Sequence, residues 1–89
     1  MAKPFRVDIV SPEKTVFEGD AVSLVVPAEY GYLGILAGHA PLVAHIVRGK
    51  ITLRSQSGEI RSWISDSDGF IEVADNKVSL VVNSVGVKI

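Results

Sequence analysis

Apolar residues recur at every second position in this chain, in short runs, almost from end to end. Phe5, Val7 and Ile9 alternate with Arg6 and Asp8, and Ile51 and Leu53 alternate with Thr52 and Arg54. Val22, Leu24 and Val26 stand against Ala21, Ser23 and Val25. Ile60, Ser62 and Ile64 oppose Arg61 and Trp63, and Val78, Leu80 and Val82 oppose Lys77, Ser79 and Val81. Successive side chains leave a pleated strand on opposite faces, so a period of two over short runs specifies half-buried strands. No window of ten or more residues carries a helical stripe.

Turn chemistry punctuates these runs at Ser11-Pro12, Gly19-Asp20, Ser57-Gly58, Asp68-Gly69 and Asp75-Asn76. Gly, Asn and Asp tolerate the positive φ of tight hairpins. Strands are expected near Phe5–Val10, Lys14–Glu18, Asp20–Val26, Leu33–Leu36, Leu42–Val47, Lys50–Ser55, Glu59–Ser65, Phe70–Val73 and Lys77–Val82. The apolar tail Val85–Ile89 either adds a last strand or frays. Many short strands at this spacing predict an all-β sandwich or barrel. Eighty-nine residues hold one core and not two. No repeat, linker or low-complexity segment divides them.

Composition excludes several classes. With 47% apolar and 21% charged residues the chain suits a packed domain. Its net charge is −1 and its nine basic residues are scattered, so nothing neutralises a nucleic-acid backbone. There is no cysteine, hence no disulfide, thiolate metal site or thiol nucleophile, and the chain needs no oxidising compartment. The first residues lack the apolar stretch of a secretory signal. The most apolar window, Gly31 to Val47, contains Pro41 and is too short to span a bilayer as a helix. A soluble domain without direct membrane insertion is expected.

Motifs for chemistry fail one by one. Gly49-Lys50 is followed by Ile51, and Ala44 stands where a phosphate loop needs its first glycine. Neither a dinucleotide fingerprint nor a nucleophile elbow occurs. His39 and His45 lack the further ligands a zinc site needs; they read as a loop histidine and a strand histidine. Asp66, Asp68 and Glu72 break the calcium-loop pattern and read as an aspartate-rich hairpin turn. Trp63 reads as half-covered by the sheet, and Lys50 and Lys77 lack the company of a modified carrier lysine. A carrier or carbohydrate-binding β-domain is the rival from another class, and a small hydrolase a distant third.

The segment Ala28 to Val43 departs from the pattern. It sets Gly31, Gly34, Gly38 and Pro41 among aliphatic residues, and glycines let a backbone bend or approach another closely. Leu33, Ile35, Leu36, Leu42, Val43, Ile46 and Val47 are much apolar surface for one edge of a small sandwich. An interface and a bent core strand account for it equally well.

Gly31-x-Leu33-Gly34-Ile35-x-x-Gly38-His39-Ala40-Pro41-Leu42 resembles the signature of the ATP synthase epsilon-subunit family, called delta in mitochondria. Val10-Ser11-Pro12-Glu13 with Val16-Phe17-Glu18-Gly19 resembles the family's opening hairpin, and Gly69–Val73 with Asn76–Leu80 its late one. The resemblance covers nearly the whole chain. It implies a flattened, ten-stranded antiparallel β-sandwich, a single domain over 1–89. It implies a non-catalytic rotor subunit of the central stalk, coupling the gamma subunit to the c-ring for proton-driven synthesis. The implied place is the cytoplasmic face of a bacterial inner membrane, as a peripheral subunit, with an organelle as the alternative. Glu29, Tyr30, Gly31 and Tyr32 match the loop facing the c-ring, with His39 near the same end. Ala40, Pro41, Leu42 and Val43 match the stretch facing gamma, with Leu42 the expected anchor. No cofactor and no metal is implied. Tyr32 stands where the family often has an acidic residue. Nothing here corresponds to the two-helix carboxyl-terminal domain of many relatives, so the inhibition and ATP binding it carries do not transfer.

Overall fold

The computed structural model describes residues 3–66, 68–83 and 85–87. Ten strands account for most of them: β1 (Phe5–Val10), β2 (Thr15–Ala21), β3 (Ser23–Ala28), β4 (Gly31–Ile35), β5 (Leu42–Ile46), β6 (Gly49–Arg54), β7 (Ile60–Ser65), β8 (Gly69–Ala74), β9 (Lys77–Val82) and β10 (Val85–Val87). The apolar tail thus continues as a strand against β7, while Lys88 and Ile89 lie outside the described residues.

The strands hydrogen-bond in the order β10-β7-β6-β3-β5-β8-β9-β1-β2, and β4 adds to the other side of β3. Only Ala28↔Ile46 joins β3 to β5, so the sheet folds over at that point. One layer is β4-β3-β6-β7-β10 and the other β5-β8-β9-β1-β2. Phe17 of β2 meets Trp63 of β7 with ring centroids 5.7 Å apart, which shows that the layers face each other. Leu24, Val26, Ile35, Ile51 and Leu53 from one layer share a single core with Phe5, Val7, Ile9, Ile46, Ile71, Val73, Val78, Leu80 and Val82 from the other. Each such side chain taken from water stabilises the domain by about 1.5–3 kcal/mol before entropy is counted.

Three details depart from the sequence expectation. Gly19-Asp20 is not a turn but lies within β2, opposite Val7 and Arg6. Its glycine serves the Phe17 ring, which a Cβ at position 19 would approach to 3.2 Å. The bend falls instead at Val22, whose amide donates to the Arg54 carbonyl. The inward face of β7 is also the reverse of that expected. Trp63 and Arg61 lie opposite Ile51 and Leu53, and directly paired residues share a face. Ile60 is accordingly exposed and Trp63 packs on the core. Both faces of β7 are apolar enough to mislead, and the register of the β6–β7 hairpin decides. Third, β1 and β9 pair in parallel, the single exception to antiparallel pairing among the described residues.

Candidate docking surface

β3 and β4 are joined by the two-residue turn Glu29-Tyr30, closed by Ala28↔Gly31 with Gly31 at φ 129°. That φ is left-handed territory, open to glycine and strained for other residues. Tyr30 is 97% exposed at the tip. Tyr32 is 61% exposed, yet it is not free: its hydroxyl accepts the Lys50 amide at 3.0 Å. Pro27 and the Tyr32 hydroxyl lie so close to Gly49 that a Cβ there would come within 2.6 and 2.8 Å of them. Tyr32 therefore bridges β4 to β6 across the buried Pro27, a structural duty that the sequence pattern did not disclose.

β5 runs beside this hairpin. Leu42, Ala44 and Ile46 point inward, opposite Val73, Ile71 and Gly69 of β8, and Leu42 packs on the core. Val43 points outward and is 71% exposed. The expected anchor Leu42 is thus partly core, and Val43 takes the outward place. Of the wider apolar surplus, Ile35 and Ile46 are buried, Leu33 and Leu42 line the core, and Leu36 and Val43 remain exposed. The segment is thus core at some positions and exposed apolar surface at others.

The hairpin and β5 enclose an open groove of about 450 Å³ walled by Tyr30, Tyr32 and Leu33 on one side and by Leu42, Val43 and His45 on the other. Glu29, Tyr30, Gly31, Tyr32, Leu42 and Val43 are thereby brought together. Phe70, which the sequence reading did not single out, pairs with His45 across β5 and β8 and adds a half-exposed ring to the outward face. Strand register alone reveals it. His45 Nε2 stands 3.7 Å from Asp68 Oδ2 near the same end.

His39 does not share that end. The chain leaves the turn along β4, and the 36–41 loop lies beyond Ile35, roughly 13 Å away by strand rise. His39 accordingly sits at the opposite end of the sandwich from Glu29-Tyr30, contrary to expectation. Its amide donates to the Leu36 carbonyl and its Nδ1 to the Ala40 carbonyl, at 2.7 Å. Ala40 and Pro41, both exposed, occupy the same loop. The Gly38 amide donates to Asn76 Oδ1 at 2.9 Å, while Asn76 Nδ2 donates to the Pro4 carbonyl. The loop is tied to the β8–β9 turn.

Features of the rival readings are placed elsewhere. Trp63 packs against the core and against the Phe17 ring, which itself lies under Arg61, so it offers no flat platform for a sugar. Lys50 and Lys77 lie within β6 and β9 and not at turn tips. Glu72 points out from β8 opposite Val43, while Asp68 precedes that strand. Among the described residues no three His, Asp or Glu side chains group to hold a metal ion. Among the same residues no helix is long and apolar enough to cross a membrane.

Comparison with known proteins agrees with this architecture. Residues 4–86 match the family described as ATP synthase, Delta/Epsilon chain, beta-sandwich domain. The ATP synthase epsilon chain of Dichelobacter nodosus is 42% identical over 83 residues, covering 93% of this chain and 57% of the relative. That of Leptospira borgpetersenii is 44% identical over 87 residues, covering 98% and 67%. A chain in the cryo-EM structure of the Euglena gracilis mitochondrial ATP synthase (OSCP/F1/c-ring, rotational state 1) superposes with a TM-score of 0.86. It is 18% identical, and the match covers 92% of this chain and 52% of that one, so it speaks for the fold. The present sequence spans just over half to two thirds of the length of these relatives.

Proposed function

This chain belongs to the ATP synthase Delta/Epsilon-chain β-sandwich family, and on that premise we propose that it is a non-catalytic coupling element of the rotor. In this reading it holds the gamma subunit and the c-ring in fixed register, as a peripheral component at the cytoplasmic face of a bacterial inner membrane. The observation that carries the reading is Val43, an aliphatic side chain 71% exposed beside a groove, in a domain whose other large aliphatic residues are mostly buried. Exposed apolar surface next to a concave site is characteristic of a protein interface.

The mechanism is mechanical. A close-packed sandwich transmits strain without yielding, so contacts at two places on it lock two partners together. The Glu29–Tyr32 hairpin, with Tyr30 projecting at its tip, is assigned to the c-ring. Ala40, Pro41 and Val43, with Leu42 holding the strand to the core, are assigned to gamma. His39 shares the loop of Ala40 and Pro41, at the end remote from Tyr30, and its part in the ring contact is withdrawn in favour of gamma. No bond is made or broken in this role, and no cofactor enters it.

The test is binding of the purified chain to a gamma subunit from a related synthase. A stoichiometric complex weakened by Val43→Asp is the expected result. Absence of any complex, with the chain demonstrably folded, overturns the reading.

A further inference from the structure

β4 is an edge strand without the usual protections. Among the described residues it pairs only with β3. Natural edges are blunted by charge, proline, bulges or shortness, because their free N–H and C=O groups invite another strand. The outer strand β2 carries Glu18 and Asp20, and the outer strand β10 is three residues long. β4, Gly31-Tyr32-Leu33-Gly34-Ile35, has no charge, no proline and a regular register.

The register also says which groups are free. The Pro27 carbonyl accepts the Val47 amide on the far side of β3 from β4. Pro27↔Tyr32 is therefore a pair that exchanges no hydrogen bonds, and by alternation so is Val25↔Gly34. The amides and carbonyls of Tyr32 and Gly34 consequently point away from β3, along the open edge. Gly34 is exposed and carries no side chain of its own to screen the edge. The edge borders the groove whose opposite wall is Leu42 and Val43.

We infer that an extended segment of the gamma subunit adds to β4 as a further strand, bonding to the backbone of Tyr32 and Gly34 and turning alternate apolar side chains toward Leu42 and Val43. Main-chain bonds supply affinity in strand addition and the pockets for alternate side chains supply selectivity. The inference rests on the proposed function for its occupant: the edge borders the groove whose far wall, Leu42 and Val43, is assigned to gamma, and it carries no charge that would call for an ionic partner, while the Tyr32 side chain and the turn before it stay with the ring. It differs from that proposal in requiring backbone pairing and not side-chain contact alone.

Amide hydrogen exchange, read residue by residue by NMR on the free chain and on its complex with gamma, tests it. Exchange at Tyr32 and Gly34 is expected to be fast in the free chain and at least about a hundredfold slower in the complex, as for ladder amides. Gly34→Pro removes one outward donor at a position where an edge strand tolerates proline. It is expected to keep the fold and to weaken gamma binding by roughly tenfold or more, the order of one or two hydrogen bonds lost. Gly34→Ala, which keeps the amide, is expected to weaken binding less than Gly34→Pro does.

The outcomes separate. If gamma binds but both amides keep their free rates, strand addition is wrong while the coupling role stands. If gamma does not bind the folded native chain, the coupling role fails and strand addition falls with it. Slow exchange that appears with rising concentration of the chain alone identifies a second copy as the strand on β4 and overturns the assignment to gamma. Exchange on the native chain needs no variant, so it decides the matter even if Gly34→Pro does not fold.

Discussion

Leu42 and Val43 are adjacent in sequence and point to opposite sides of β5. Leu42 packs on the core across from Val73, and Val43 stands in solvent beside the groove. A charge at each position therefore has different consequences. Leu42→Asp places a carboxylate against apolar side chains and is expected to cost about 2 kcal/mol or more of stability. Val43→Asp is expected to cost less than about 1 kcal/mol, the scale of strand propensity, and to weaken gamma binding. Urea unfolding of both variants, with gamma titrations of the folded one, checks the pair; equal destabilisation would contradict the assigned faces. Two glycines make a similar contrast. A Cβ at Gly69 would run into the Val81 carbonyl, which is backbone and cannot step aside. Gly69→Ala is expected to lose about 2 kcal/mol or more, whereas Gly34→Ala, in open space, is expected to be neutral or stabilising by up to about 1 kcal/mol. Unfolding midpoints decide.

The turn between β8 and β9 works at the scale of elements. Asp75 and Asn76 both have positive φ, 53° and 61°, the conformation of a two-residue hairpin turn matched to sheet twist. Asn76 also bonds Gly38 of the 36–41 loop and Pro4 ahead of β1, so one side chain ties three segments together. Asn76→Gly keeps the turn and loses the ties, and is expected to cost about 1–2 kcal/mol. Asn76→Ala loses the ties and also strains the turn, and is expected to cost about 1–2 kcal/mol more. Equal costs in a denaturant series would show that turn conformation contributes nothing. Loosening the 36–41 loop in either variant should also increase amide exchange at Gly38.

For the whole molecule, the decisive property is that two layers around one core separate the two ends. The described residues extend 34 × 27 × 22 Å. Tyr30 projects at one end and His39 lies at the other, so a domain seated on the ring by its turn keeps His39 away from it. Since the chain has no cysteine, single probes are unambiguous. Tyr30→Cys is expected to cross-link to the c-ring in an assembled synthase, and His39→Cys to gamma; a ring cross-link from both positions would contradict this orientation.

Much of this was legible in the amino-acid sequence. Alternation in β1, β6 and β9 marks strand and buried face together, because a pleat leaves only two directions for a side chain. The glycine-rich segment and its neighbours identify the family. Other features were decided by partners distant along the chain. The phase of β7 came from its register with β6, the place of Gly19 from the Phe17 ring, and the parallel pairing of β1 and β9 from a contact no turn dictates. The separation of His39 from Tyr30 came from the direction of β4. Local sequence sets periodicity and turns, which are short-range steric properties. Which edges stay open, and which ends lie together, depends on how ten strands divide between two layers, and that is settled only when the core closes.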